Sequence, residues 1–172
     1  AVEALDGPVL VLAGAGTGKT RVLTTRIAHI LCSGRARGSQ VLAVTFTKKA
    51  AGEMQERAAA LLGRRLPKKP EISTFHALCV RILRRHPEEA GLSRDFVIYD
   101  QDESLSLVRR AISSVGLSDK TYAPRRVLSL LSMQKNGRAY SEADVRDYRI
   151  EVLNELAGRY NAGLRAANAV DF

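Results

Sequence analysis

A glycine-rich run that ends in a lysine and a threonine carries the clearest chemical signal in this sequence. The run is AGAGTGKT at residues 13–20. Glycines permit positive φ and let backbone N–H groups approach a ligand closely, which suits a chain of phosphates. The lysine supplies a full charge at the β- and γ-phosphates, and the threonine hydroxyl is a ligand for Mg²⁺. The run therefore predicts a loop that binds a nucleoside triphosphate.

The loop departs once from the pattern G-x-x-x-x-G-K-[ST], because alanine stands where the first glycine is usual. Alanine is small, so the departure is mild. The alternative is an ordinary glycine-rich turn with an exposed lysine, but the strand before the turn and the helix after it both favour a phosphate loop. Lys19 and Thr20 are the predicted catalytic residues, and Thr20 is the predicted Mg²⁺ ligand. The loop consists of Ala13, Gly14, Ala15, Gly16, Thr17, Gly18, Lys19 and Thr20.

The elements that must position this loop predict an α/β fold. Continuous apolar runs at residues 8–13 and 41–46, and a shorter one at residues 71–75, are typical of strands. The first is expected to be buried on both faces, as in a parallel sheet. Apolar residues at helical spacing follow each strand. Three such β-then-α units predict a parallel sheet with right-handed crossovers.

From about Gly91 the sequence becomes mostly helical. Residues 96–100 form one more strand candidate, and helices are predicted at 102–116, at 123–137 and from Ser141 onward. Ser141 with Asp144 has the form of a capping box, and an apolar stripe runs from Val145 to Leu164. Gly158 and Gly163 are expected to weaken or break this last helix. We predict two domains, residues 1–90 and 91–172.

Charge points to the kind of partner. Lys and Arg number 27 against 18 Asp and Glu, which gives a formal net charge of +9. Such an excess favours an anionic partner, most often a nucleic acid. No stretch reaches the roughly 18 apolar residues of a membrane span. Cys32 and Cys79 lack metal-ligand spacing, and we expect small buried thiols in a reducing cytoplasm.

Three stretches, taken in order, resemble the N-terminal part of the UvrD/PcrA/Rep family of superfamily 1 DNA helicases. They are AGAGTGKTR at 13–21, TFTKKAAGEM at 45–54 and STFHALCVRILRR at 73–85. The resemblance implies a P-loop NTPase (RecA-like) parallel sheet, incomplete in this chain, followed by a helical subdomain that lies beside the duplex. It implies an ATP-dependent 3′–5′ DNA helicase or translocase of DNA repair or replication. ATP and Mg²⁺ would be its cofactors, single-stranded or junction DNA its partner, and the cytoplasm its location.

The resemblance also assigns roles to individual residues. Arg21 would lie against the adenine, where a planar guanidinium stacks well. Two sets of residues would contact single-stranded DNA, the first with the Phe46 ring under a base and the second nearer the backbone. The first set is Thr45, Phe46 and Thr47, and the second is Thr74, Phe75 and His76. Phe46 in the core and a structural role for His76 are the alternatives.

A basic helix face is a further DNA candidate. Arg81, Arg84 and Arg85 stand three and four residues apart and so share one face. That face is either solvated or in contact with phosphates. We include Arg84 and Arg85 among the predicted DNA-binding residues.

One acidic segment imitates the metal-binding half of a nucleotide hydrolase. FVIYDQDE places Asp100, Asp102 and Glu103 after an apolar run. We assign these acids to the start of the next helix, because a similar family segment precedes the helical insert and the family's Asp-Glu motif lies further along. The resemblance places the adenine-reading glutamine before Ala1 and later motifs after Phe172. We therefore expect this chain to bind nucleotide weakly and not to turn it over.

Other functions stay open on the sequence. The parent protein would alternatively be the helicase part of a recombination helicase–nuclease, or the chain a non-hydrolysing nucleotide- and DNA-binding module. A P-loop kinase would need an acceptor site and a lid, and the sequence shows a signal for neither. An uncovered sheet edge would also favour self-association.

Overall fold

The computed structural model describes residues 1–14, 16–63, 69–141, 143 and 148–172. The chain divides into two compact units, Ala1–Ile82 and Leu83–Phe172. Both units combine helices with a pair of short parallel strands, so the predicted α/β class is confirmed. The division falls earlier in the chain than the predicted boundary at residue 90.

The first unit is built on two parallel strands and the helices that cover them. Its elements are α1 (Lys19–Cys32), β1 (Leu42–Thr45), α2 (Lys48–Leu62), β2 (Glu71–Thr74) and α3 (Phe75–Arg85), which runs past Ile82, with a 3₁₀ turn at Gly38–Gln40. In the ladder Ala43 pairs with Ile72 and Thr45 with Thr74. The core residues come from α1, α2 and β2 and are Ile27, Ala28, Leu31, Met54, Ala58, Leu62 and Ile72.

The prediction of a buried strand at residues 8–13 is wrong. This segment pairs with neither β1 nor β2, and the side chains of Leu10 and Leu12 are 82% and 85% exposed. A strand obtains its hydrogen bonds and its burial from neighbouring strands. The described strands of this unit pair with each other and offer this segment no ladder. The segment therefore has the amino-acid composition of a strand but is not part of a sheet among the described residues.

Both cysteines are exposed, so the prediction of buried thiols is wrong. Cys32 is the last residue of α1, and Cys79 lies on α3, a helix in which no residue is buried. Helical spacing shows that Leu78, Cys79 and Ile82 share a face. It does not show what covers that face, and burial depends on the covering element.

The longest described elements of the second unit are three helices, which a second strand pair accompanies. Its elements are β3 (Val97–Ile98), α4 (Gln101–Ser114), α5 (Pro124–Lys135), α6 (Ile150–Ala166) and β4 (Ala169–Val170), with a 3₁₀ turn at Glu88–Ala90. As predicted, Pro124 opens α5 and Gly137 follows it with positive φ. Val108, Ile112, Leu130 and Leu153 are fully buried at its centre. Among the described residues, no helix has the length and apolar character needed to cross a membrane.

A buried tyrosine ties the end of this unit together. The Tyr160 hydroxyl donates to Asp171 Oδ2 at 2.8 Å, and Lys135 Nζ donates to both Asp171 oxygens at 2.9 and 2.8 Å. Burial raises the pKa of Tyr160 to about 12, so the phenol keeps its proton at neutral pH. The cluster holds the chain in place directly after β4.

The last helix differs from its prediction. α6 begins at Ile150 and runs unbroken through Gly158 and Gly163, while the predicted capping residue Asp144 and the stripe residue Val145 lie outside the described residues. A Cβ added at Gly163 would lie 2.5 Å from Leu107 Cδ1, whereas one at Gly158 would meet nothing within 4 Å. Gly163 therefore lets α4 and α6 approach closely, and this packing outweighs its poor helix propensity.

This contrast gives a matched pair of substitutions. We expect Gly158→Ala to raise the free energy of unfolding by up to about 1 kcal/mol through helix propensity. Gly163→Ala gains the same propensity but displaces Leu107 in a packed core, which costs about 1–3 kcal/mol. Urea denaturation of both variants beside the parent chain measures the difference. Equal stabilisation by the two changes would show that the helices do not need the close approach.

Candidate functional site

The glycine-rich loop lies directly before α1. Gly18 is the N-cap of this helix with φ 88°, and Gly16 has φ 75°, conformations that favour glycine. The loop thus ends at the N-terminus of a 14-residue helix. Free backbone N–H groups and the helix dipole make such a position favourable for an anion.

Two side chains of the loop are folded onto its backbone. Lys19 Nζ donates to the carbonyl of Ala13 at 2.8 Å and to that of Gly14 at 2.6 Å, and Thr17 Oγ1 donates to Gly14 O at 2.7 Å. These bonds keep the ammonium group at the loop, where a phosphate would meet it. Ala15 lies outside the described residues, and nucleotide binding at the loop stays a prediction.

The donor set for Mg²⁺ is small. The Thr20 hydroxyl is half-buried and has no hydrogen-bond partner among the described residues, so its oxygen is available as a ligand. In the same part of the chain no group of three or more His, Cys, Asp or Glu residues lies together. Mg²⁺ is commonly held by few protein ligands together with phosphate oxygens and water, and this arrangement fits that mode.

An open cavity of about 430 Å³ continues from the loop along α1. This volume lies within the range of small-molecule sites. The lining residues come from the N-terminal segment, the loop and α1, and are Val2, Gly16, Thr17, Gly18, Arg21, Val22 and Thr25. The Arg21 side chain is exposed, and its guanidinium forms no hydrogen bond or ion pair with another described residue. Its guanidinium is therefore free to stack on an aromatic base.

The register of β1 and β2 brings the two predicted DNA motifs together. Thr45, the last residue of β1, pairs with Thr74, the last residue of β2. A phenylalanine follows each of them directly. The Phe46 and Phe75 ring centroids lie 5.4 Å apart with the planes tilted by 42°. Phe46 is 85% exposed and Phe75 44% exposed, so the alternative of Phe46 in the core is wrong. Exposed rings at the carboxyl ends of parallel strands form a surface on which bases can stack.

Two threonines of these motifs lie at the start of the helices that follow and accept hydrogen bonds from them. Thr47 Oγ1 accepts a hydrogen bond from Ala50 N at 3.1 Å, and Thr74 Oγ1 accepts one from Ala77 N at 3.2 Å. Thr74 is buried, Thr45 is half-buried and His76 is exposed. Hydroxyl acceptors at these positions satisfy otherwise unpaired N–H groups of α2 and α3. This capping role was not predicted from the sequence, although Thr directly before a helical run signals it.

The three arginines of α3 divide into two kinds. Arg81 donates to Ser73 Oγ at 2.8 Å and pairs with Glu71 Oε1 at 2.6 Å, so it ties α3 to β2. Arg84 and Arg85 lie exposed in the last turn of α3. Neither guanidinium has a hydrogen-bond or ion-pair partner among the described residues. The choice between a solvated face and a phosphate contact therefore concerns Arg84 and Arg85.

The acidic segment before α4 is a helix cap. Asp100 Oδ1 accepts from the backbone N–H groups of Asp102 and Glu103, both at 2.9 Å. Glu103 Oε2 accepts from Asp100 N at 2.8 Å, which completes a capping box. The carboxylates of Asp100 and Glu103 are thus engaged with backbone. This supports their assignment to the start of a helix.

The positive charge is unevenly distributed along the chain. Ala1–Ile82 contains 13 Lys and Arg against five Asp and Glu, whereas Leu83–Phe172 contains 14 against 13. Nearly all of the net charge therefore belongs to the unit that holds the loop and the phenylalanine pair. A polyanion is attracted most strongly to that unit.

Comparison with known proteins gives consistent matches. The family model of the UvrD/REP helicase N-terminal domain matches residues 1–172. The ATP-dependent DNA helicase PcrA of Leuconostoc citreum is 43% identical over 100% of this chain and 23% of its own length. The helicase UvrD1 of Mycobacterium leprae is 42% identical over 96% and 22%, and PcrA of Bacillus subtilis is 39% identical over 100% and 24%. The chain spans about a quarter of the length of these relatives.

Proposed function

Because the chain belongs to the UvrD/REP helicase N-terminal domain family, as its three motifs predict, we propose that it is the nucleotide- and DNA-binding part of an ATP-dependent 3′–5′ DNA helicase. One observation carries the proposal. A lysine-bearing glycine loop at a helix N-terminus and a pair of exposed phenylalanines at two strand ends occur in one strongly basic unit. The fold of this unit would be that of a RecA-like P-loop NTPase.

The loop would bind ATP through its backbone and three side chains. The N–H groups before α1 and the Lys19 ammonium hold the β- and γ-phosphates. The Thr20 hydroxyl holds Mg²⁺, which neutralises phosphate charge when bound. Arg21 lies in the cavity that continues from the loop and stacks on the base.

The strand ends would bind single-stranded DNA. Phe46 and Phe75 provide faces for bases, and stacking of this kind tolerates any sequence. Thr45, Thr47 and His76 lie beside the rings and offer polar contacts to the backbone, while the buried Thr74 sets the start of α3. The basic character of the unit supplies long-range attraction to phosphates.

Several properties of the whole protein are proposed on the family relationship alone. For the whole protein we propose unwinding, junction DNA as substrate, a place in repair or replication, and a cytoplasmic location. The relatives are about four times as long as this chain. The helicase part of a helicase–nuclease is equally compatible with these observations. The exposed apolar residues 9–12 support self-association of the chain.

Two titrations test the proposal. Calorimetry with ATP should show one site that depends on Mg²⁺, and anisotropy of a labelled single-stranded oligonucleotide should show binding that weakens with salt. A chain that binds neither ligand would contradict the proposal. Hydrolysis measured with and without DNA separates an enzyme from the second candidate, a non-hydrolysing module. The use of Asp100 and Glu103 as a helix cap favours the module for residues 1–172.

The salt dependence identifies the role of the last turn of α3. We expect the double variant Arg84→Glu and Arg85→Glu to reduce the slope of log K against log salt by about 1.4, because each phosphate contact on single strands contributes about 0.7. Anisotropy titrations at several salt concentrations measure this slope. An unchanged slope would show that this face is only solvated. Arg81 is left in place, since its contacts with Ser73 and Glu71 join α3 to β2.

A further inference from the structure

The N-terminal segment, residues 1–6, lies along α1 and is held there by two arginines. Arg26 Nη1 donates to the carbonyl of Ala4 at 2.5 Å and also to the carbonyl of Ala1. Arg35 pairs with Asp6. The segment itself forms neither helix nor strand. Its position beside α1 therefore depends on Arg26, which belongs to that helix, and on Arg35, which follows it.

The two arginines differ in strength as tethers. The Arg35–Asp6 pair has side chains that are 57% and 85% exposed, and exposed pairs of this kind contribute little. Arg26 is half-buried and donates to two backbone carbonyls, which are charge-assisted hydrogen bonds. Arg26 is therefore the main tether of the segment.

Val2 lies between the two carbonyls that Arg26 holds. It is half-buried and lines the cavity of about 430 Å³ together with Arg21 and the loop residues Gly16–Gly18. The loop end of this cavity is where the phosphates would bind. An apolar side chain and a planar guanidinium along the rest of the cavity suit an aromatic ring.

We propose that Arg26 is a positioning residue for the base of the nucleotide. By fixing residues 1–4 along α1, it keeps Val2 in the wall of the cavity that Arg21 shares. The inference rests on the proposed function, because it assumes a triphosphate at the loop. Arg26 does not touch the phosphates, so its contribution concerns ligands that carry a base.

Binding of two ligands distinguishes positioning of the base by Arg26 from a general stabilisation of the glycine-rich loop. One is ATP with Mg²⁺ and the other is inorganic tripolyphosphate with Mg²⁺, which has the phosphates but no base. We expect Arg26→Ala to weaken ATP binding about tenfold, because the segment must then be ordered at the moment of binding. Binding of tripolyphosphate is expected to stay unchanged. Calorimetry with both ligands measures the two affinities.

Matched variants make the result decisive. Arg57→Ala removes an equal charge from an exposed ion pair with Glu53 on α2 and is expected to change neither affinity. Val2→Gly removes the wall without altering α1, and it should reproduce the ATP-selective loss even if Arg26→Ala fails to fold. Equal losses for both ligands, or no loss for ATP, would overturn the inference. A parent chain that binds neither ligand would contradict the proposed function itself, and the inference with it.

Discussion

Lys19→Ala is expected to abolish detectable ATP binding. The lysine ammonium is the only full positive charge within the glycine-rich loop, and it lies against the Ala13 and Gly14 carbonyls at 2.8 and 2.6 Å. Charge-assisted bonds to phosphate are among the strongest in proteins, and backbone N–H groups cannot replace them. Losing two such bonds, each worth roughly 1.5–3 kcal/mol, weakens binding by a factor of about 100 or more. Calorimetric titration with ATP and Mg²⁺ measures this.

The control variant also removes one positive charge, but from a residue outside the loop sequence. Lys120→Ala removes an exposed lysine of the helical unit and is expected to leave ATP affinity unchanged. Tripolyphosphate binding should fall together with ATP binding in Lys19→Ala, in contrast to the ATP-selective loss expected for Arg26→Ala. Unchanged ATP affinity in Lys19→Ala would refute the phosphate loop.

Phe46→Ala is expected to weaken single-stranded DNA binding by roughly 1–3 kcal/mol, the usual effect of losing one stacking side chain. Because stacking involves no counterion release, the slope of log K against log salt should stay the same. The ring is 85% exposed, so the free energy of unfolding should change by no more than about 0.5 kcal/mol. Anisotropy titration and urea denaturation of the same preparation measure both quantities.

Two further variants sharpen this test. Phe46→Tyr keeps an aromatic face and should retain binding, whereas Phe46→Leu keeps apolar bulk without that face and should lose it. Because the two rings lie 5.4 Å apart, the double variant Phe46→Ala and Phe75→Ala should cost less than the sum of the single changes. Full DNA affinity in Phe46→Ala would remove this residue from the proposed interface.

Features that depend on near neighbours in the chain were predictable from the sequence. The turn before α1, with glycine at positions of positive φ, follows from local backbone sterics. The same holds for the start of α5 at Pro124 and the end of α2 at Gly63. The family, with its ATP-dependent helicase relatives, also follows from short motifs, because a phosphate loop needs a few residue types at fixed spacing.

The strand at residues 8–13 shows why composition alone is insufficient. Its apolar residues have high strand propensity, but a ladder requires a neighbour, and the described strands pair elsewhere. The prediction of buried thiols was wrong for a related reason. Cys79 is exposed on an amphipathic helix whose apolar residues are half-buried or exposed and never fully buried.

The sequence by itself determined the local elements, the family and the residue types of the candidate site. Only the tertiary structure decided which distant residues meet. The register of β1 against β2 places Phe46 beside Phe75, and the packing of α4 against α6 places Gly163 beside Leu107. Likewise, the path of the N-terminal segment places Ala4 O on Arg26. Such contacts join positions far apart in the chain, and they depend on the summed packing of whole elements, which no short window of sequence contains.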